Sequence, residues 1–211
     1  MSLLRKLPQQ LHQFIDFNRN GLTGRECQHK TLLVVGVGNI GYEVVQIGKG
    51  LGMNVLGVDI DKKHSDVTYL SIEAGLAQAD IVVCTMNLTP NNVGYFNYQL
   101  LKGAKSGLIF VNIARCELSP TADLLRLIDE NILGGVALDV YEKESELAIL
   151  LRQGKIGKVN TETLALAKRS NVILTPHNAF NAVEALERKA AHSVQQIIHF
   201  LENGQFLWPV P

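Results

Sequence analysis

The chain has 211 residues, 46% of them apolar and 19% charged. That suits one sizeable folded domain, or one and a half, and argues against wholesale disorder. Lys plus Arg is 20 and Asp plus Glu is 20, so the net charge is zero and no global field draws the chain onto nucleic acid or anionic lipid. No apolar run approaches the roughly 20 residues of a membrane helix, and residues 1–8 lack the apolar stretch of a signal peptide. Three cysteines, Cys27, Cys84 and Cys116, are too few and wrongly spaced for a zinc site or a disulfide scaffold, so a cytoplasmic protein with reduced thiols and no metal is expected.

Residues 3–18 carry Leu4, Leu7, Leu11, Phe14 and Ile15 at helical spacing, interrupted early by Pro8. The stripe predicts a core-facing helix, or a helix with Pro8 at its first position and disorder before it. Residues 31–35 are apolar on both faces, as a strand buried in a parallel sheet requires. A helix follows over 40–51, with Ile40, Val44, Val45, Ile47 and Leu51 on its apolar side. Further strands are predicted at 54–59, 81–84, 108–111, 135–138 and 172–174, with a helix over 122–131. The final helix pattern, 182–203, stops at Asn203-Gly204 and is also expected to face a core. The alternation of strands and helices predicts an α/β chain: a Rossmann-type doubly wound parallel sheet with helices on both faces.

After the first strand comes Gly36-Val37-Gly38-Asn39-Ile40-Gly41. A glycine-rich segment between a buried strand and a helix is the setting in which such a motif is informative. Gly36 permits the tight turn, Gly38 lets backbone approach a pyrophosphate, and Gly41 lets the helix pack on the strand. The helix start, at Asn39 and Ile40, presents free N–H groups and partial positive charge to phosphate. Asp59 ends the second strand at about the 20-residue offset expected of a ribose acceptor. It would repel a 2′-phosphate, so NAD is favoured over NADP. The plain alternative is a tight strand–helix turn with an exposed Asp.

Three more polar segments follow predicted strands: Asn112-Ile113-Ala114-Arg115, Asp139-Val140-Tyr141-Glu142-Lys143-Glu144 and Thr175-Pro176-His177-Asn178. An Arg fork binds a carboxylate and polarises a carbonyl. A His gives up a proton, and a neighbouring acid keeps that proton on the ring. Taken singly, the Arg reads as a solvated charge, the His as a loop cap and Glu-Lys-Glu as a charged helix start. Together on the rim of a nucleotide site they are the parts needed to reduce a 2-keto acid.

These segments resemble the D-isomer-specific 2-hydroxyacid dehydrogenases from about Gly21 to the end of the last helix. The likeness also runs through Gly24-Arg25-Glu26, Lys30-Thr31-Leu32, Ala79-Asp80-Ile81-Val82, Leu88-Thr89-Pro90 and Thr175-Pro176-His177-Asn178-Ala179-Phe180. The Thr-Pro-His-x-Ala-Phe form leans towards the D-lactate-dehydrogenase-like branch. The resemblance implies an NAD-dependent enzyme acting on a small 2-hydroxy or 2-keto acid, usually a homodimer through its cofactor domain. It implies that Arg115 binds the substrate carboxylate and carbonyl, that His177 is the proton donor, and that Glu144, rather than Glu142, is its acid partner. Asp139, Ile113 and Ala114 would line the nicotinamide half of the cofactor.

Three departures stand against that likeness. Cys116 replaces the Gly usual after the Arg, so its side chain either narrows the site or exposes a thiol acidified by the neighbouring cation. Thr85 and Asn87 stand where the family often has His and Pro. The separate substrate domain with which family members begin is not in the sequence, which is therefore expected to be a fragment or a naturally shortened protein. The expected organisation is 1–20 as a connecting helix, 21–182 as the NAD-binding domain, and 183–211 as a helix and tail that pack on the substrate domain. The rival reading is an NAD(H)-binding or scaffolding module without catalysis. A formate-dehydrogenase-like enzyme is disfavoured by Glu144.

Overall fold

The first strand, β1 (Thr31–Val35), is buried from Leu32 onward, as a run of aliphatic residues in the middle of a parallel sheet must be. In the computed structural model, which describes residues 1–154 and 161–208, it is followed by β2 (Asn54–Val58), β3 (Thr68–Tyr69), β4 (Ile81–Cys84), β5 (Leu108–Asn112), β6 (Leu133–Leu138) and β7 (Val172–Leu174). Every pairing is parallel, and the order across the sheet is β3-β2-β1-β4-β5-β6-β7. The chain winds outward from β1 to β3, then returns to the other side of β1 with β4. This is the doubly wound α/β fold that the alternation predicts.

The helices are α1 (Leu7–Gln13), α2 (Asn39–Gly50), α3 (Ile72–Leu76), α4 (Tyr98–Leu101), α5 (Thr121–Asp129), α6 (Glu144–Arg152), α7 (Thr161–Leu166) and α8 (Val183–Asn203). Alternate strand residues point to opposite faces, and both faces are covered. Leu33, Val35, Val82 and Phe110 pack with Leu76, Leu124 and Leu127. Leu32, Val34, Ile81 and Ile109 pack with Val45 and Leu4. Asp80 ties the starts of two strands together, accepting from the Thr31 N–H at 2.9 Å and pairing with Lys105 at 2.8 Å.

The chain divides into two units, Met1–Thr175 and Pro176–Pro211. In the second, the Gln196 side chain holds the following tail to α8. Its Oε1 accepts from the Leu207 N–H at 2.7 Å, and its Nε2 donates to the Trp208 carbonyl at 3.2 Å. Gly204, left-handed at φ 70°, ends α8 where Asn203-Gly204 predicts. Residues 209–211 of the expected tail lie outside the described residues.

Two expectations change. The terminal helices do not face a core: neither α1 nor α8 contains a buried residue. Periodicity shows that a helix has an apolar face but not what covers it. The residues before Pro8 are not disordered either. Leu4 is 6% exposed, its carbonyl accepts from the Arg25 N–H at 2.8 Å, and Arg5 N–H donates to Met1 at 3.0 Å. Pro8 itself sits in the first turn of α1, where a missing N–H costs nothing.

Candidate cofactor and active site

Register places the strand ends in one row. Val58, Val35, Cys84, Asn112, Leu138 and Leu174 are successive partners across the sheet. The loops after them share one edge, and the order reverses between β1 and β4, where open α/β sheets bind ligands.

The glycine turn occupies that reversal. Gly36 has φ +93°, and a Cβ there would stand 2.5 Å from the Met86 backbone. The Gly36 N–H donates to Val58 at 2.9 Å, and its carbonyl accepts from the Thr85 hydroxyl at 2.7 Å. Thr85, a departure from the family pattern in sequence, thus ties the turn to the end of β4. Gly41 faces the same carbonyl, with which a Cβ would collide. Gly38 is different: a Cβ there would meet nothing within 4 Å. It is the N-cap of α2, and no side chain caps the helix start. The first-turn amides, from Asn39 and Ile40 onward, therefore front open space, the setting a pyrophosphate requires.

Asp59 follows β2 and is tied into this turn. Its Oδ2 accepts from the Val37 N–H at 2.5 Å, and its Oδ1 accepts from the Asp61 N–H at 3.0 Å. Each carboxylate oxygen keeps a lone pair for a further donor. Ile60 beside it is fully exposed, an apolar surface at the same rim that periodicity does not single out.

The 112–115 segment is organised by Asn112, which has no exposed surface. Its Oδ1 accepts from the Ala114 N–H at 2.9 Å, and its Nδ2 donates to the Arg115 carbonyl and the Ser119 hydroxyl, each at 2.8 Å. Ile113 and Ala114 are half-buried and Arg115 is exposed. The Arg115 guanidinium donates to the Ala114 carbonyl at 2.8 Å. The organising role of Asn112 is one that sequence reasoning missed; its signal is a polar side chain ending a buried strand.

Cys116 corrects one expectation. Burial, then the hydrogen bond to Glu117 at 3.2 Å, pushes its thiol up to about 12 rather than down. At pH 8 a thiol of that kind is ionised on the order of one part in ten thousand. Iodoacetamide should therefore label Cys116 far more slowly than it labels free cysteine at pH 8, as peptide mass spectrometry would show. Labelling at the free-cysteine rate would contradict this environment.

Asp139 follows β6, 4% exposed, and accepts from the Thr175 hydroxyl at 2.6 Å. Its N–H donates to Asn112 at 3.1 Å, so the loops after β5 and β6 are joined. The Tyr141 hydroxyl is shared between the Thr175 carbonyl at 2.6 Å and the Leu138 carbonyl at 2.9 Å. Burial, then the Asp139 charge, raises its pKa to about 12, so it stays a donor. Glu142 is engaged elsewhere: its Oε1 accepts from the Thr121 N–H at 3.2 Å, at the start of α5. Glu144 is the half-buried first residue of α6.

The first unit thus brings Gly36, Gly38, Asn39, Ile40, Gly41, Asp59, Ile113, Ala114, Arg115, Asp139 and Glu144 to the loops and helix starts that follow its strands. His177 belongs to the second unit. It is half-buried, left-handed at φ 49°, and edge-on to Phe180 with ring centroids 6.4 Å apart.

A doubly wound sheet with a glycine turn after β1 and a carboxylate after β2 defines a dinucleotide-binding domain. Residues 1–179 match the family described as D-isomer specific 2-hydroxyacid dehydrogenase, NAD binding domain, and the chain belongs to that family. It is 32% identical over 187 residues to a D-lactate dehydrogenase of Streptococcus agalactiae, covering 87% of this chain and 56% of that protein. It is 30% identical over 211 residues to an aromatic 2-oxoacid reductase of Clostridium sporogenes, covering 97% and 63%. The structure of D-lactate dehydrogenase from Aquifex aeolicus complexed with NAD and lactic acid superposes with a TM-score of 0.88 at 28% identity, covering 99% of this chain and 67% of that one. The chain spans 56% of the length of the first of these relatives. Among the described residues no helix is long and apolar enough to cross a membrane, and no cluster of metal-ligating side chains forms.

Proposed function

We propose that this chain is the cofactor-binding part of an NAD-dependent enzyme that interconverts small 2-keto and D-2-hydroxy acids. The observation that carries the reading is the single row of strand ends, with the glycine turn after β1, Asp59 after β2, the Asn112-held Arg115 loop after β5 and Asp139 after β6. The open space at Gly38 and the uncapped start of α2 suit a pyrophosphate. Gly36, Gly38, Asn39, Ile40 and Gly41 would hold it, Asp59 the adenosine ribose, and Ile113, Ala114 and Asp139 the nicotinamide half. The chemistry that bound NAD supplies is hydride transfer at the substrate C2. Arg115 binds and orients the substrate carboxylate with its guanidinium fork. An imidazole nitrogen of His177 gives a proton to the carbonyl oxygen as the keto acid is reduced. Glu144 is the acid partner of that ring, the role the family resemblance implies.

Residues 1–20 and 183–211 are proposed to adjoin a substrate domain, which the exposed apolar faces of α1 and α8 support. Homodimerisation through the cofactor domain rests on the family resemblance. The cytoplasm is the proposed compartment, supported by three free cysteines.

Asp59 predicts the cofactor preference. Asp59→Ala should weaken NAD binding roughly tenfold by removing charge-assisted hydrogen bonds, while NADP binding holds or improves. Titration of both nucleotides checks it; equal affinities of the unaltered chain for the two would remove Asp59 from the ribose.

A second reading, a module that binds NAD(H) without catalysis, is favoured for these 211 residues alone by their coverage of 56% of the relative's length. A polypeptide of these residues should bind NAD yet oxidise NADH with pyruvate or larger 2-keto acids far below the ~10 per second of an ordinary enzyme. Closing a cleft over the acid supplies positioning that an open rim does not. Calorimetry and an NADH-absorbance assay on one preparation decide it. Turnover of ordinary size would show the site to be complete within these residues.

A further inference from the structure

Between β2 and β3 the chain makes a largely exposed loop, 59–67. Ile60, Asp61, Lys62, Lys63, Ser65 and Asp66 are exposed, and no side chain is buried before Val67. The first end is tied by Asp59 to Val37 and Asp61. The far end is tied to α2, the helix whose first turn fronts the proposed phosphate site. The His64 ring lies flat on the Tyr42 ring, with centroids 3.8 Å apart and planes 10° from parallel. The Tyr42 hydroxyl donates to Asp66 Oδ2 at 3.2 Å, and Lys49 Nζ donates to the same oxygen and to the Asp66 carbonyl, each at 2.7 Å. The loop also closes on itself: His64 N–H donates to the Tyr69 hydroxyl at 3.3 Å and Val67 N–H to the His64 carbonyl at 3.2 Å. The Lys49–Asp66 pair is exposed and screened, so it holds the loop weakly. The ring stack joins the exposed part of the loop to α2 face to face.

We propose that the His64–Tyr42 stack is a clamp that presets the 59–67 loop so that Asp59 is presented to the adenosine ribose, and that this pair sets cofactor affinity without touching the reacting groups. His64 and Tyr42 are positioning residues acting through Asp59. The inference rests on the assignment of Asp59 to the ribose. The physical reason is preorganisation. A loop that must order when the nucleotide arrives lowers the affinity by the cost of that ordering, and a loop already held does not. An aromatic pair of this geometry corresponds to a factor of roughly three to ten.

The test is calorimetric titration of NAD into the unaltered chain, His64→Ala, His64→Phe, Asp59→Ala and the Asp59→Ala/His64→Ala double variant. His64→Ala is expected to weaken NAD binding roughly three- to tenfold, and His64→Phe, which restores a ring, to return it to within about twofold. In the Asp59→Ala background His64→Ala is expected to cost nothing further, because the clamp acts through that carboxylate. An Asp59→Ala variant that binds NAD like the unaltered chain would overturn the ribose assignment itself. A clear Asp59→Ala effect with His64→Ala at unaltered affinity, or with the two losses simply multiplying, would overturn the clamp and leave the assignment standing. If His64→Ala does not fold, Tyr42→Leu cuts the same stack from the helix side and carries the same expectations. If neither folds, the rings hold the domain rather than the loop, and the proposal fails.

Discussion

Gly41→Ala is expected to weaken NAD binding about 100-fold, close to 3 kcal/mol. The Cβ it adds would collide with the Gly36 carbonyl and stand 2.8 Å from the Thr85 hydroxyl. That hydroxyl is hydrogen-bonded to the same carbonyl, so neither group can move aside alone. Overpacking of this kind costs ~1–3 kcal/mol. Here the displaced atoms are the glycine turn itself, so the loss falls on the proposed phosphate site as well as on stability. Gly38→Ala is the contrasting variant. Its Cβ meets nothing within 4 Å of protein, so folding should be unchanged while a bound pyrophosphate is crowded. Titration of NAD, with circular dichroism to confirm folding, checks both. NAD affinity within threefold of the unaltered chain for Gly41→Ala would show that the turn is more compliant than its contacts imply.

Asn112→Ala is expected to lower stability by about 3 kcal/mol. The change leaves the Ala114 N–H and the Ser119 hydroxyl without the partner each has now, while the Arg115 carbonyl keeps the Leu118 N–H at 3.3 Å, and an unpaired buried polar group costs ~1–3 kcal/mol. For a domain of this size that corresponds to a fall in Tm of roughly 6–12 °C. Ser119→Ala removes one of the three bonds and should cost about a third as much. The Asn112 change also frees the backbone that carries Arg115. On the proposed role of Arg115 in binding the substrate carboxylate, KM for the keto acid in a full-length enzyme should therefore rise well beyond what the stability loss explains. Thermal unfolding of both variants and substrate saturation curves test the pair. A fall in Tm of less than about 2 °C for Asn112→Ala would mean that water replaces the side chain and that the loop is not held by it.

Much of this was legible in the residues. Gly36, Gly38 and Gly41 differ in backbone conformation and in what a Cβ would meet, and the role proposed for each follows from its place between a buried strand and a helix. The strands at 31–35, 81–84 and 172–174 fall where their aliphatic runs predict. The two-residue β3 and the short helices α3 and α4 did not show, because a single turn or a two-residue ladder has no period to read. Nor did the purpose of Thr85, read first as a departure from the family pattern; its hydroxyl matters because β4 pairs with β1, a contact about 50 residues distant in sequence.

The sequence by itself determined the class of the fold, the place of the glycine turn and the residue types available at the rim, because each depends on local pattern: alternation, a missing Cβ, a carboxylate at a set offset. Only the tertiary structure decided that Cys116 is a suppressed thiol, that Glu142 is held at the start of α5 while Glu144 opens α6, that Asn112 organises the arginine loop, and that α1 and α8 bury no side chain. Each of these depends on which groups meet across the sheet and on how much water they keep, and neither is a property of the neighbours along the chain.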